Sequence, residues 1–234
     1  MLQALGLSKQ VTSPEGPLTI LDRADLQIER GETIAIVGAS GAGKSTLLGL
    51  LAGLDVPTEG QVWLDGTELT ALDEDGRAAL RADRVGFVFQ SFHLVPSLTA
   101  LENVMLPLEL AGAANPAQAA REALQTVGLE PRRRHYPHQL SGGEKQRVAI
   151  ARAFVVQPSI LFADEPTGNL DQKTGEQVVD LLFHLNSESG TTLVLVTHDL
   201  NLAVRCQRIY YMEGGRFVDG PQSSVMAKSV AAHV

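Results

Sequence analysis

The stretch Gly38-Ala39-Ser40-Gly41-Ala42-Gly43-Lys44-Ser45 constrains this chain more than any other. It stands directly after the near-continuous apolar run Thr33-Ile34-Ala35-Ile36-Val37 and directly before Thr46-Leu47-Leu48, which opens a helical pattern. A G-x-x-x-x-G-K-[ST] pattern between a strand and a helix is built to hold phosphate. Small residues let the backbone wrap the anion with successive N–H groups pointing inward, and the helix start adds partial positive charge. In that geometry Lys44 neutralises β- and γ-phosphate oxygens and Ser45 Oγ sits on Mg²⁺. Residues Gly38 to Thr46 are therefore the candidate nucleotide contacts.

A strand apolar throughout needs cover on both faces, which implies an α/β layer fold. Ile160-Leu161-Phe162-Ala163 and Thr192-Leu193-Val194-Leu195-Val196-Thr197 are runs of the same kind, each ending in polar residues. Polar groups then gather at the carboxyl edge of the sheet, where such folds bind ligands. Leu18 to Glu32 reads as short antiparallel strands with a turn near Glu29-Arg30-Gly31, and Gln61 to Leu64 as a strand closed by Asp65-Gly66. From Asp73 to about Gly128 the chain reads as mostly helical, interrupted by the strand Val85 to Phe89. Pro131 to Pro137 is a basic, turn-rich linker, and a long helix is expected from Val148 to Val156. The architecture expected is one domain over 1–234. It has an α/β P-loop NTPase core (a mixed sheet flanked by helices), an antiparallel β subdomain and a helical subdomain at about 91–147.

Asp164 and Glu165 end the second apolar run. Asp164 at a strand tip suits a Mg²⁺ ligand. Glu165, one residue further, suits a base that orients a water in line with the γ-phosphate and accepts its proton. His198 ends the third run and suits a hydrogen bond to the same phosphate. His93, His135, His138, His184 and His233 are read as structural or solvent-facing. Leu140-Ser141-Gly142-Gly143-Glu144 carries the S-x-x-E spacing of a capping box ahead of a helix. Two glycines in a first turn cost roughly 1 kcal/mol each relative to Ala. They make sense where bare backbone approaches something closely, so Ser141, Gly142 and Gly143 form a second candidate anion site.

Composition narrows the partners. The 234 residues are 44% apolar and 20% charged, and 19 Lys plus Arg against 27 Asp plus Glu give a formal charge of −8. That balance argues against nucleic acid as a partner. Pro131-Arg132-Arg133-Arg134-His135 is the local exception, either a solvated turn or a contact for a partner's cytoplasmic segments. The single Cys206 suits a reducing compartment. Met1-Leu2-Gln3-Ala4 does not read as a secretory signal, and the densest apolar stretch, Leu47 to Leu54, falls well short of the roughly 18 residues of a membrane helix. The expectation is a soluble chain that meets a membrane only through a partner.

Gly38–Ser45, Gln90, Leu140–Gln146, Asp164–Glu165, Asp171 and His198 occur in an order that resembles the nucleotide-binding subunit of ATP-binding cassette (ABC) transporters over nearly the whole chain. The LSGGEKQ stretch is what separates that family from other P-loop ATPases. The resemblance implies an ATP hydrolase using ATP and Mg²⁺ as a head-to-tail homodimer. Ser141 to Gly143 of one chain would close over the ATP held by Lys44 of the other, and residues 91–147 would be the ABC-specific helical subdomain. It implies catalytic roles for Glu165, His198 and Gln90, with Ser45, Gln90 and Asp164 serving the metal. Gly168-Asn169-Leu170-Asp171 resembles the loop that crosses the dimer interface and brings Asp171 to the nucleotide site. Phe92, Leu94, Val95 and Leu98 are either part of a groove for a permease helix or a buried subdomain core. The family places an adenine-stacking aromatic near its start, where this chain has Val11 after Lys9-Gln10 and no Phe, Trp or Tyr before Trp63. That departure implies a weaker grip on the base and poorer discrimination of ATP from GTP.

Within the family, residues 53–55, 89–96, 99–104 and 164–171 resemble the branch serving lipoprotein release (LolD), macrolide export (MacB) and cell division (FtsE), and most closely the YbbA type with its permease YbbP. This implies a MacB/FtsX-type membrane permease with a large periplasmic domain at the bacterial inner membrane. Export or extraction of a hydrophobic or lipid-like substrate is the leading expectation. ATP-dependent mechanical or regulatory control of a periplasmic enzyme, without transport, is the alternative.

Overall fold

The computed structural model of the chain describes residues 1–14 and 16–220, so His233 lies outside the described residues. These residues group into two compact units, one of Met1–Glu29, Thr33–Ala71 and the chain from Val196, the other of Arg30–Glu32 and Leu72–Leu195. The chain begins β1 (Leu2–Ser13), β2 (Gly16–Ile28), β3 (Thr33–Val37), α1 (Lys44–Leu51), β4 (Glu59–Leu64) and β5 (Thr67–Glu68). It continues α2 (Glu74–Arg84), β6 (Val85–Phe89), α3 (Ala100–Leu110), α4 (Pro116–Thr126), α5 (Gly142–Phe154), β7 (Ile160–Asp164), α6 (Gln172–Ser189) and β8 (Thr192–Thr197). It closes with the short α7 (Leu200–Ala203), β9 (Arg208–Glu213) and β10 (Arg216–Val218).

In the first unit an antiparallel sheet has the order β2-β1-β4-β5. Where several short strands were expected from Leu18 to Glu32, the chain forms one long strand, β2, paired along its length with β1. The sequence reading had no β1. Its register slips between Ala4 and Leu7, Leu7 and Lys9, and Lys9 and Gln10, with Gly6 at φ 57°. Such bulges break the two-residue alternation by which a strand is recognised. Beside this sheet, β3 runs parallel to β9, from Ile34 opposite Arg208 to Val37 opposite Tyr211, and β9 pairs antiparallel with β10. These strands are mixed in direction. Ile34, Ala35, Ile36 and Val37 are all buried, as are Leu47, Leu48, Leu50 and Leu51 of α1, so the loop between β3 and α1 is anchored at both ends by apolar packing.

In the second unit β8 neighbours β7, and β7 runs parallel to β6 with Val85 opposite Ile160 and Phe89 opposite Asp164. The register therefore brings Gln90 and Glu165, the next residue on each strand, to one carboxyl edge. Phe87 stacks on both Phe89 and Phe162, and a Cβ on Gly86 would meet Ala153 O at 2.8 Å, so β6 lies hard against α5. Helix α5 starts at Gly142, earlier than the expected Val148, because the capping box already satisfies its first turn. Among the described residues no helix is long and apolar enough to cross a membrane.

Candidate active site

The loop after β3 uses its glycines for backbone reasons. Gly41 and Gly43 sit at φ 81° and 97°, where a side chain is strained, and a Cβ on Gly38 would overlap Met212 O. Gly43 caps α1 without any side-chain hydrogen bond, and no acidic residue occupies the first turn. In contrast, Asp73, Thr99, Ser141 and Asp171 cap α2, α3, α5 and α6 with side-chain oxygens. Lys44 is only 8% exposed, and its Nζ donates to Gly38 O at 2.8 Å and Ala39 O at 2.9 Å. The ammonium is thus folded into the loop, while Ser40 and Ser45 stay exposed. A cavity of about 520 Å³ is lined by Val37 to Ala42 and by Tyr211 to Gly214, Val218 and Asp219. Val11 is 38% exposed and pairs with Leu18, itself 50% exposed, close to the Ser13–Gly16 end of the β1–β2 pairing. His198 is exposed just beyond β8.

The second unit gathers the other expected residues. Asp164 ends β7, and Glu165 follows at φ 47°, a left-handed backbone for a non-glycine residue that also precedes a proline. Such conformations cost about 1–3 kcal/mol and collect where function demands a fixed direction. Glu165 O accepts from Gly168 N at 3.0 Å, closing the turn. Gln90 lies against that turn: Asn169 Nδ2 donates to Gln90 O at 2.9 Å, and Gln90 Nε2 reaches Asn169 Oδ1 at 3.4 Å. A Cβ on Gly168 would stand 2.6 Å from Gln90 Nε2. The sequence reading had Gln90 but gave Asn169 no such role, because nothing local joins residues so far apart.

At the start of α5 the capping box is complete. Ser141 N donates to Glu144 Oε2 at 2.8 Å, and Glu144 N donates to Ser141 Oγ at 3.3 Å. The Ser141 N–H holds the Glu144 carboxyl below its ordinary value, helped by Arg132 and Arg147. Asp171 is lowered likewise by hydrogen bonds from Thr174. The glycines have an internal reason as well. A Cβ on Gly143 would overlap Thr174 Cγ2, and one on Gly142 would stand 3.1 Å from Leu170 Cδ2. From mid-helix Gln146, fully buried, donates from Nε2 to Pro166 O at 2.7 Å. Phe92, Leu94, Val95 and Leu98 are all half-buried, in a loop that Asn103 organises through Val95 N, Val95 O, Leu98 O and Thr99 O. The basic turn is partly neutralised, Arg133 pairing with Glu130 and Arg132 with Glu144.

Beside this geometry stands the likeness of the chain to known proteins. The ABC transporter family model matches residues 21–168. The chain belongs to the ABC transporter family. It is 56% identical over 212 residues to the ABC transporter ATP-binding protein YbbA of Escherichia coli, covering 90% of this chain and 93% of that protein. It is 52% identical to the lipoprotein-releasing system ATP-binding protein LolD of Pseudomonas syringae pv. tomato, covering 88% and 92%. Among solved structures, the dimeric post-hydrolysis state of the ATP-binding cassette MJ0796 bound to ADP and Pi superposes with a TM-score of 0.87 at 44% identity, covering 94% and 97%. The cassette is thus an ATP-binding subunit and an ATPase whose cofactors are ATP and Mg²⁺. Its residues fit both. The uncapped start of α1 and the buried Lys44 ammonium suit phosphate. Among the described residues no group of three or more His, Cys, Asp or Glu is placed to cage a metal. Mg²⁺ keeps its waters and takes one or two side-chain oxygens plus phosphate, and the exposed Ser45 hydroxyl in the first turn of α1 is such an oxygen.

Proposed function

We propose that the cassette works as a head-to-tail homodimer that hydrolyses ATP to drive a MacB/FtsX-type permease, YbbP-like, with a large periplasmic domain. Its place is the cytoplasmic face of the bacterial inner membrane, held there through the permease, and its task is export or extraction of a hydrophobic or lipid-like substrate. Kinship with YbbA and LolD supports the permease class. The observation that supports the dimer is the start of α5, where exposed Ser141 and two glycines open a helix apart from the phosphate loop, as a helix end that receives an anion would. The whole chain acts as one ATPase domain, with residues 91–147 as its helical subdomain.

In this reading Gly38 to Thr46 wrap the phosphates, Lys44 exchanges its two loop carbonyls for phosphate oxygens, and Val11 lies against the base. Ser45, Asp164 and Gln90 would hold the Mg²⁺, which would neutralise charge building on the phosphates. Glu165, aimed by its left-handed backbone, orients the attacking water and takes its proton. His198 donates a hydrogen bond to the γ-phosphate. Ser141, Gly142, Gly143 and Asp171 complete the site of the partner copy, so closure completes the catalytic set and product release reopens it.

The test is Glu165→Gln, which keeps shape and removes the base. ATP affinity should stay within about threefold of wild type while turnover falls by about 10²–10⁴. Mg²⁺-ATP should then shift the protein from monomer to dimer in size-exclusion chromatography with light scattering. Wild-type turnover in this variant, or a monomer at saturating Mg²⁺-ATP, overturns the reading.

A further inference from the structure

One charged side chain stands within the apolar run of α5. Val148, Ala149, Ile150, Ala151 and Ala153 are all buried, and Arg152 lies among them with its guanidinium turned toward the turn that follows β6. Arg152 Nη1 donates to His93 O at 2.6 Å and Nη2 donates to Phe92 O at 2.9 Å. A planar fork of donors is suited to gripping two neighbouring carbonyls at once, which a lysine ammonium does less well. Burial lowers the guanidinium's pKa, yet arginine keeps its proton in proteins, so the grip is that of a cation on two dipoles.

The gripped residues are unusual. Phe92 and His93 are consecutive non-glycine residues at φ 61° and 47°. Left-handed backbone at two adjacent L-residues does not persist without support. The turn's own hydrogen bonds supply part of it, Phe92 N to Phe89 O at 3.2 Å and His93 N to Ser91 O at 2.6 Å, and the His93 ring lies tilted against Phe89 with centroids 4.7 Å apart. Arg152 supplies the rest from another element. Gln90 lies inside this turn and is touched on its other side by Asn169 and Gly168. It is held between two clamps.

We infer that Arg152 is a positioning residue for Gln90: by pinning the Phe92 and His93 carbonyls it makes the direction of Gln90 depend on where α5 lies. Helix α5 carries Ser141 at its start, ties Pro166 through Gln146 at its middle and holds Phe92 and His93 through Arg152 in its last turn. It spans about 1.5 Å per residue as a stiff rod, so a displacement at the Ser141 end is carried to the Gln90 turn. This rests on the proposed role of Gln90 at the metal and water.

The experiment is a double-mutant cycle in the full-length chain with Arg152→Lys and Gln90→Ala. It reads kcat, KM for ATP and the Mg²⁺ concentration giving half-maximal ATPase, with circular dichroism and thermal melting as folding controls. Arg152→Lys keeps the charge and loses the fork. It should lower kcat about tenfold and raise the Mg²⁺ half-saturation severalfold with KM for ATP within about twofold, since small misplacements near the chemistry cost rate rather than binding. In the Gln90→Ala background the same substitution should change kcat less than twofold. An equal loss in both backgrounds, or no loss in either, overturns the inference and makes Arg152 a structural anchor. If Arg152→Lys does not fold, Arg152→Gln, whose single amide reaches one carbonyl, is read the same way. A silent Gln90→Ala in an active enzyme refutes the role of Gln90 and this inference with it, whereas an additive cycle refutes the inference alone.

Discussion

Gly143 separates two reasons for a glycine, and a single cycle of substitutions tells them apart. By helix propensity alone, Gly143→Ala should stabilise the chain by about 1 kcal/mol. The structure reverses the sign. The new methyl would overlap Thr174 Cγ2, far inside the roughly 3.5–4.0 Å at which carbon atoms meet. Thr174 is β-branched and has few rotamers to escape into. Overpacking of this kind costs about 1–3 kcal/mol, so the net loss centres on about 1 kcal/mol, a drop in Tm of about 2–4 °C for a chain this long. Thr174→Ser removes the methyl and keeps the hydroxyl that donates to Asp171. In that background Gly143→Ala should recover its propensity gain, giving a coupling of about 2 kcal/mol. Gly142→Ala presses closely only on the end of the flexible Leu170 side chain, with Asn169 O and the Phe92 ring at ordinary contact distance, and should be near neutral. Urea unfolding of the four proteins measures the coupling. A Gly143→Ala variant as stable as wild type, or a coupling under about 0.5 kcal/mol, refutes the packing argument. The ATPase rate of the doubly substituted protein then reports the other reason: a stable but inactive enzyme means that bare backbone at Gly143 also faces the nucleotide.

Two further outcomes are expected. Val11→Tyr should tighten ATP binding about tenfold and sharpen the preference for ATP over GTP, since base–aromatic stacking is worth about 1–3 kcal/mol and 1.4 kcal/mol is tenfold; unchanged Kd values for both nucleotides in equilibrium titration would show that Val11 does not meet the base. The Glu144 carboxyl titrates below its ordinary 4.5 because the Ser141 N–H and nearby arginines favour its charged form. A lowered folded-state pKa gives stability that is complete above the unfolded value and lost as pH falls through the folded one. The stability advantage of wild type over Glu144→Gln should therefore be full at pH 7 and shrink below about pH 4.5. An advantage that is flat with pH in denaturant titrations would contradict it.

What the sequence revealed and what it hid differ by range. The β3 and β8 runs, the β6 strand and the Ser141–Glu144 box were legible because each follows from neighbours a few residues apart. A strand buried on both faces must be apolar along its length, and a cap must stand three residues from its partner. The loop before α1 was legible for the same reason, since Gly41 and Gly43 answer to local φ angles, whereas Gly38 also makes room for Met212 O. The N-terminal β1 was not, because its bulges fall where the alternation should be counted.

The sequence by itself thus determined the candidate chemistry: which loop is proposed to hold phosphate, which carboxylates stand at a strand tip, and which helix opens on Ser141 and two glycines. Only the tertiary structure decided how those pieces are held. That Arg152 grips carbonyls at 92 and 93, that Asn169 meets Gln90, and that Gly143 makes room for Thr174 are contacts across long stretches of chain. Such contacts carry no period and no spacing. They arise when the apolar faces of separate elements are buried together, and side chains are then selected to fit the gaps and satisfy the carbonyls that packing leaves beside them.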